Sequence, residues 1–140
     1  MDWEVVFQLT LAVFFGALVG IEREIKGKEA GLQTYSLVSL GSCLFVLVGL
    51  KLFGAASGAA ILLVATGVGF IGAGVIMHRE DHTEGITTAA GLWCMAAIGV
   101  TIGARLYLFS LVALILISVI LIVFGMFERK ALKTKNEKNL

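Results

Sequence analysis

The residues that could do chemistry gather at the ends of apolar runs. Glu22, Arg23 and Glu24 follow the first run, Thr34 and Ser36 open the second, His78–Glu84 follows the third, and Thr87 and Thr88 open the fourth. An acid–base pair, a second arginine at Arg79 and several hydroxyls have two uses. They can form a buried ion-pair network that caps a bundle, or solvated turns whose charges only set topology; both readings stay open here. Arg23 lies three residues after Gly20 on a stripe of small residues, so it should point into the bundle. Glu22 should point toward the Phe15 and Leu18 side. Thr87 or Thr88 suits a helix N-cap.

The second connector, HREDHTE, invites a metal reading. His78 and His82 stand at i, i+4, and Asp81 and Glu84 supply oxygens. It has no HExxH, and no cysteine joins it, so a zinc site is not indicated. An oxygen-rich Mg²⁺ site on Asp81 and Glu84 stands against plain loop charges, and the expectation is no bound metal or cofactor. The chain shows no Ser-His-Asp spacing, phosphate-binding loop or nucleophile elbow, so it is not expected to be an enzyme.

The elements that would position these groups are membrane helices. The 140-residue chain is 59% hydrophobic and has no proline, and its mean hydropathy is +0.98. A soluble domain of this size cannot bury that much apolar surface. The hydropathy pattern predicts an all-α integral membrane protein with five spans, at about 5–21, 35–53, 59–77, 87–102 and 106–127. A basic tail, 128–140, follows. The lipid bilayer is thus its solvent. A net charge of +1 argues against nucleic acid as a partner. Cys43 and Cys94 fall inside apolar runs, so no disulfide framework is expected.

Glycine spacing predicts how the helices pack. Ala12, Gly16 and Gly20 recur at i, i+4, i+8, and Gly99 and Gly103 repeat the spacing in the fourth span. Such stripes dock helices within a chain or between chains, so a second copy (a dimer first) or another membrane protein is an expected partner. The third span carries Gly67, Gly69, Gly72 and Gly74. Gly67 and Gly74 share one face, with Gly69 and Gly72 roughly opposite. Two glycine faces predict close neighbours on both sides, which would make the third helix the centre of the molecule. Its Gly67-x-Gly69-x-x-Gly72 pattern lacks the strand–helix setting of a dinucleotide site. On the second span, Ser36, Ser39 and Cys43 share a face that serves either helix packing or a wet path.

Charge sets orientation. With five alternating spans, nine Lys and Arg fall on one side and only Lys51 and Arg105 on the other. The positive-inside rule then predicts the N-terminus outside and the C-terminus in the cytoplasm. No Asp, Glu, Lys or Arg sits mid-span. Ion-coupled carriers usually hold such groups at membrane depth, so this absence weakens a transport reading.

Four stretches together resemble the MgtC/SapB family of bacterial membrane proteins. They are GALVGIERE (16–24), AGLQTYSLVSLGSCLF (30–45), GVGFIGAGVI (67–76) and GITTAAGLWCMAAIGV (85–100). The family pattern places an acid–base pair at Glu22–Arg23 and Gly-Leu-x-Thr at Gly31, Leu32 and Thr34. It also has a basic residue after the glycine run, here Arg79, and Gly-x-Thr-Thr-Ala-Ala at Gly85–Ala90. Gln33, Ile86 and Gly91 depart from it. Many members carry an ACT-like domain after the last helix, where this chain has a short tail. The resemblance implies an inner-membrane protein tied to growth in low Mg²⁺ and to survival of pathogens in host cells. It implies a regulatory role, including action on the membrane sector of the ATP synthase, with Mg²⁺ or small-solute transport as the alternative.

Overall fold

The computed structural model describes residues 3–54, 58–78 and 83–127. The helices are α1 (Trp3–Ile25), α2 (Leu32–Phe53), α3 (Gly58–Val75), α4 (Ile86–Gly103) and α5 (Tyr107–Val119). The last runs on into a π-helical turn, Ile120–Phe124. The runs Trp3–Ile25, Leu32–Phe53, Ile86–Gly103 and Tyr107–Phe127 are each long and apolar enough to cross a bilayer, and α3 adds a shorter apolar stretch, Ile61–Val75. Residues 55–57, residues 79–82 with Arg79, Asp81 and His82, and the tail from 128 lie outside the described residues.

Helix directions alternate, as side-chain contacts show. Near the start of α1, Gln8 meets Ile102 and Gly103 at the end of α4. At the other end of α1, Arg23 meets Thr88 at the start of α4. Thr101 and Ser110 join α4 to α5 at 2.8 Å, and Lys26 reaches the π turn of α5 at Leu121. One end of the bundle therefore collects the C-termini of α1, α3 and α5 and the N-termini of α2 and α4.

Glycine makes the core thin enough to close. A Cβ on Gly16 would lie 2.6 Å from the Ser36 Cα, and one on Gly20 would lie 2.7 Å from the Leu32 Cα. On the other flank, a Cβ on Gly99 would lie 2.2 Å from the Ser39 carbonyl oxygen, and one on Gly103 would lie 2.8 Å from that of Cys43. The backbone of α2 thus lies directly on α1 and on α4, with no side chain between. Such contact is the main source of helix association where lipid is as apolar as the helix surface. The stripes at Gly16/Gly20 and Gly99/Gly103 are therefore used within the chain. Ser39 and Cys43 are fully buried in the same seams and Ser36 is half-buried, so this face packs helices.

The expectation of a bundle built around the third helix is corrected. Half of the α4 span is buried inside the protein, against a third or less for the other long spans. Leu92, Met95, Ala96, Ile98 and Ile102 are its buried core side chains. By contrast, α3 touches its neighbours along one stripe, Val64, Val68 and Gly72. A Cβ on Gly72 would find the Ala89 methyl at 3.4 Å, whereas Gly67, Gly69 and Gly74 face open space. Glycine permits close approach but does not summon a neighbour.

Two further features depart from the sequence reading. The second connector begins and ends as a short antiparallel ladder, Met77–His78 against Thr83–Glu84. The N-cap of α4 is Gly85, not Thr87 or Thr88. Gly85 takes φ +87°, and a Cβ there would sit 2.0 Å from the Val75 carbonyl oxygen. The turn from the ladder into α4 thus excludes a side chain on two grounds.

Candidate functional site

The site is the polar cap where α1 ends and α2 and α4 begin. Arg23 is only 3% exposed, although it is the last basic residue of α1. Its Nη2 donates to Thr88 Oγ1 at 3.3 Å, and its Nη1 lies 3.8 Å from Glu22 Oε2. The Thr88 hydroxyl in turn donates to Glu29 Oε2, and the Tyr35 hydroxyl donates to the Thr88 carbonyl at 3.4 Å. A relay therefore runs from Arg23 of α1 through Thr88 of α4 to Glu29 of the connector. Thr88 and Tyr35 are fully buried. Gly91 makes room for Tyr35, since a Cβ there would lie 2.4 Å from the phenol oxygen.

A second pair braces the relay from outside. Glu22 pairs with Lys26 one helical turn on. Lys26 also donates to the Leu121 carbonyl at 3.4 Å, in the π turn that ends α5. The connector is held to α2 by Glu24, whose Oε2 accepts the Leu32 N–H at 2.7 Å. Gly31, the N-cap of α2, offers no side-chain cap, so Glu24 supplies the missing acceptor at the positive end of the helix dipole. A Cβ on Gly31 would meet that carboxylate at 2.6 Å.

Of the cap residues read from sequence, the structure brings Glu22, Arg23 and Thr88 together. Thr87 is exposed, and Thr34 faces a groove between α2 and α3. Arg79 lies outside the described residues. Among the described residues, no group of three or more His, Cys, Asp or Glu converges on a point. Glu84 lies in the two-residue ladder. Glu24 was named among the boundary charges without a role of its own, and Glu29 and Tyr35 were missed. So was Gln8, which is fully buried and donates to the carbonyls of Ile102 at 2.8 Å and Gly103 at 3.2 Å. It closes the open C-terminal end of α4. The signal was present: Gln8 continues the Ala12, Gly16, Gly20 stripe one turn back, and Tyr35 continues the Ser39, Cys43 stripe.

The hydrogen bond from Thr88 holds the Glu29 carboxyl below its usual 4.5, against a smaller upward push from burial. A carboxyl lowered in the folded state adds stability that is fully present above its unfolded value and is lost as pH falls through its folded value. The strap formed by residues 26–31 should therefore stay fastened at neutral pH and loosen only below pH 4.5. A spin label at Lys28→Cys checks this, with mobility that rises only in that acid range. Mobility that rises instead near neutrality would refute it.

The chain matches the MgtC family over residues 9–130. It belongs to that family. SrpB of Synechococcus elongatus is 41% identical over 127 residues, covering 79% of this chain and 70% of SrpB. YhiD of Escherichia coli K12, named as a candidate magnesium transporter, is 38% identical over 133 residues, covering 89% of this chain and 62% of YhiD. MgtC of Salmonella typhimurium is 38% identical over 112 residues, covering 80% of this chain and 48% of MgtC. The match therefore spans only 48% to 70% of these relatives' lengths. No solved structure matches the chain significantly. This MgtC-family chain is a multi-pass membrane protein, and the cap and glycine seams all fall inside the matched region.

Proposed function

We propose that the chain is a bacterial inner-membrane regulator of the MgtC/SapB kind, serving adaptation to Mg²⁺ limitation and virulence-type stress. It acts by helix contact with a second copy or with a membrane partner such as the ATP synthase membrane sector. The cap lies on the cytoplasmic side, as the positive-inside rule places it. No catalytic step is involved.

One observation carries this reading. The stripes at Gly16/Gly20 and Gly99/Gly103 are filled from within, but α3 leaves Gly67, Gly69 and Gly74 bare, and Gly41 of α2 is equally open. Gly41 and Gly67 line a groove of about 690 Å³ with Leu37, Phe45, Leu63 and Val68. In lipid, such a surface favours another helix because its backbone can come close. The contact face is thus α3 with the α2 groove, rather than the stripes singled out from sequence.

Gly67→Leu and Gly41→Leu test it. A side chain at either site enters open space, so the monomer should fold as before. Self-association or partner capture, read by energy transfer between labelled chains in vesicles, should weaken by about tenfold. Unchanged association in both variants would refute the reading. The name of YhiD supports the transport alternative; Mg²⁺ flux into vesicles carrying the full chain, above that of empty vesicles, would favour it.

A further inference from the structure

We propose that Arg23, Thr88 and Tyr35 form a seat for a phosphate-class oxyanion, and that the Glu29 carboxylate occupies this seat as a built-in stand-in. The inference does not depend on which helix face meets a partner.

The seat is assembled from three helices and is buried. Arg23 is 3% exposed, Thr88 1% and Tyr35 0%. Its occupant is of another kind, because Glu29 is an exposed residue of the connector whose carboxylate accepts the hydrogen bond of the Thr88 hydroxyl. Thr88 is oriented by two contacts. Arg23 donates to its hydroxyl, and Tyr35 donates to its carbonyl. The hydroxyl proton is thereby aimed at whatever anion lies above it.

The seat also has unused capacity. Arg23 Nε has no hydrogen-bond partner among the described residues, though it is buried. Arginine's planar fork binds carboxylate and phosphate oxygens alike, and a phosphate offers more acceptors than the one carboxylate oxygen used here. Charge points the same way. Arg23 and Lys26 face Glu22, which pairs with both, so the cluster keeps one positive charge, and Glu29 lies within reach of the charges of Lys28 and Arg23. Remove Glu29 and that charge needs an anion.

The connector is built to let go. Gly27 has φ +60°, and a Cβ there would meet nothing within 4 Å, so the stretch from Gly27 to Glu29 can turn there while Ala30 stays seated in the core. The seat lies where α2 and α4 begin. That is the depth of lipid headgroups, so the anion can come from a phospholipid or from free phosphate. Arrival of either would displace Glu29 and free the strap.

The test uses the full chain, wild type and Glu29→Ala. Thermal unfolding is followed against inorganic phosphate in neutral detergent, and separately in nanodiscs of phosphatidylcholine with and without phosphatidylglycerol. The Glu29→Ala chain should reach its half-maximal rise in Tm at about tenfold less phosphate, or show a rise with phosphatidylglycerol that wild type lacks. A response in detergent assigns the seat to a free anion. A response confined to phosphatidylglycerol assigns it to a headgroup. Adding Thr88→Val should abolish the gain; if that chain does not fold, Arg23→Lys, which keeps the charge but not the fork, should reduce it. Equal responses in wild type and Glu29→Ala would overturn the proposal, as would a gain that survives both added substitutions.

Discussion

Gly99→Ala is expected to cost about 3 kcal/mol or more, while Gly67→Ala costs nothing measurable or stabilises slightly. Both add one methyl to a helical glycine in a glycine-rich helix. At Gly99 the new carbon would lie 2.2 Å from the Ser39 carbonyl oxygen and 2.9 Å from the Ser42 Cβ. A carbonyl of α2 cannot yield as a flexible side chain would. To move it, α2 must move, and α2 is held on its far side by α1 across Gly16, where a Cβ would be 2.6 Å from the Ser36 Cα. The clash therefore spreads over two helix seams. At Gly67 the methyl meets nothing within 4 Å. SDS-driven unfolding in mixed micelles compares the two purified variants. Gly99→Ala should unfold at a much lower SDS fraction than wild type, and Gly67→Ala at the same fraction or higher. Equal midpoints for the two would show that the α2–α4 seam is not as tight as described.

This contrast also marks what could be read from sequence. Apolar runs of span length, broken by charged connectors, gave the five helices, because lipid forces every backbone polar group into a helix. The i, i+4 stripes at Gly16/Gly20 and Gly99/Gly103 were legible as packing surfaces, but not their shared partner α2. The glycines of α3 misled because a missing side chain looks the same whether the space beside it is filled or empty. In the cap, Arg23 was legible from its spacing to Gly20. Glu29 was not, as it is one of several charges in a connector whose path depends on Gly27 and Gly31. The burial of Gln8 shows only in its spacing to Ala12, because an uncharged amide carries no signal by type. Yet a buried amide closing a helix end does for the far end of the bundle what Arg23 does for the cap.

Arg23→Met should be the most damaging change in the cap, at about 3 kcal/mol, the low end of the range for breaking a buried pair. The low end applies because Glu22 is 18% exposed and keeps Lys26 as a partner. Methionine fills most of the volume, so the loss is chiefly electrostatic. Thr88 loses the donor that orients its hydroxyl, and Glu29 keeps Lys28 but loses the other cation near it. Lys26→Met should cost less, because Lys26 is 22% exposed and water can replace it. Arg23→Lys should fall between the two, since lysine keeps the charge but not the planar fork. A double-mutant cycle of Arg23→Met with Thr88→Val separates the relay from simple burial. The relay requires a coupling energy of roughly 1 kcal/mol or more, whereas independent residues would add within about 0.5 kcal/mol. Additivity would mean that α1 and α4 meet at this end by shape alone. Coupling would mean that a single hydroxyl on α4 carries the charge of α1 to the connector, so that whatever moves Glu29 is felt at the centre of the bundle.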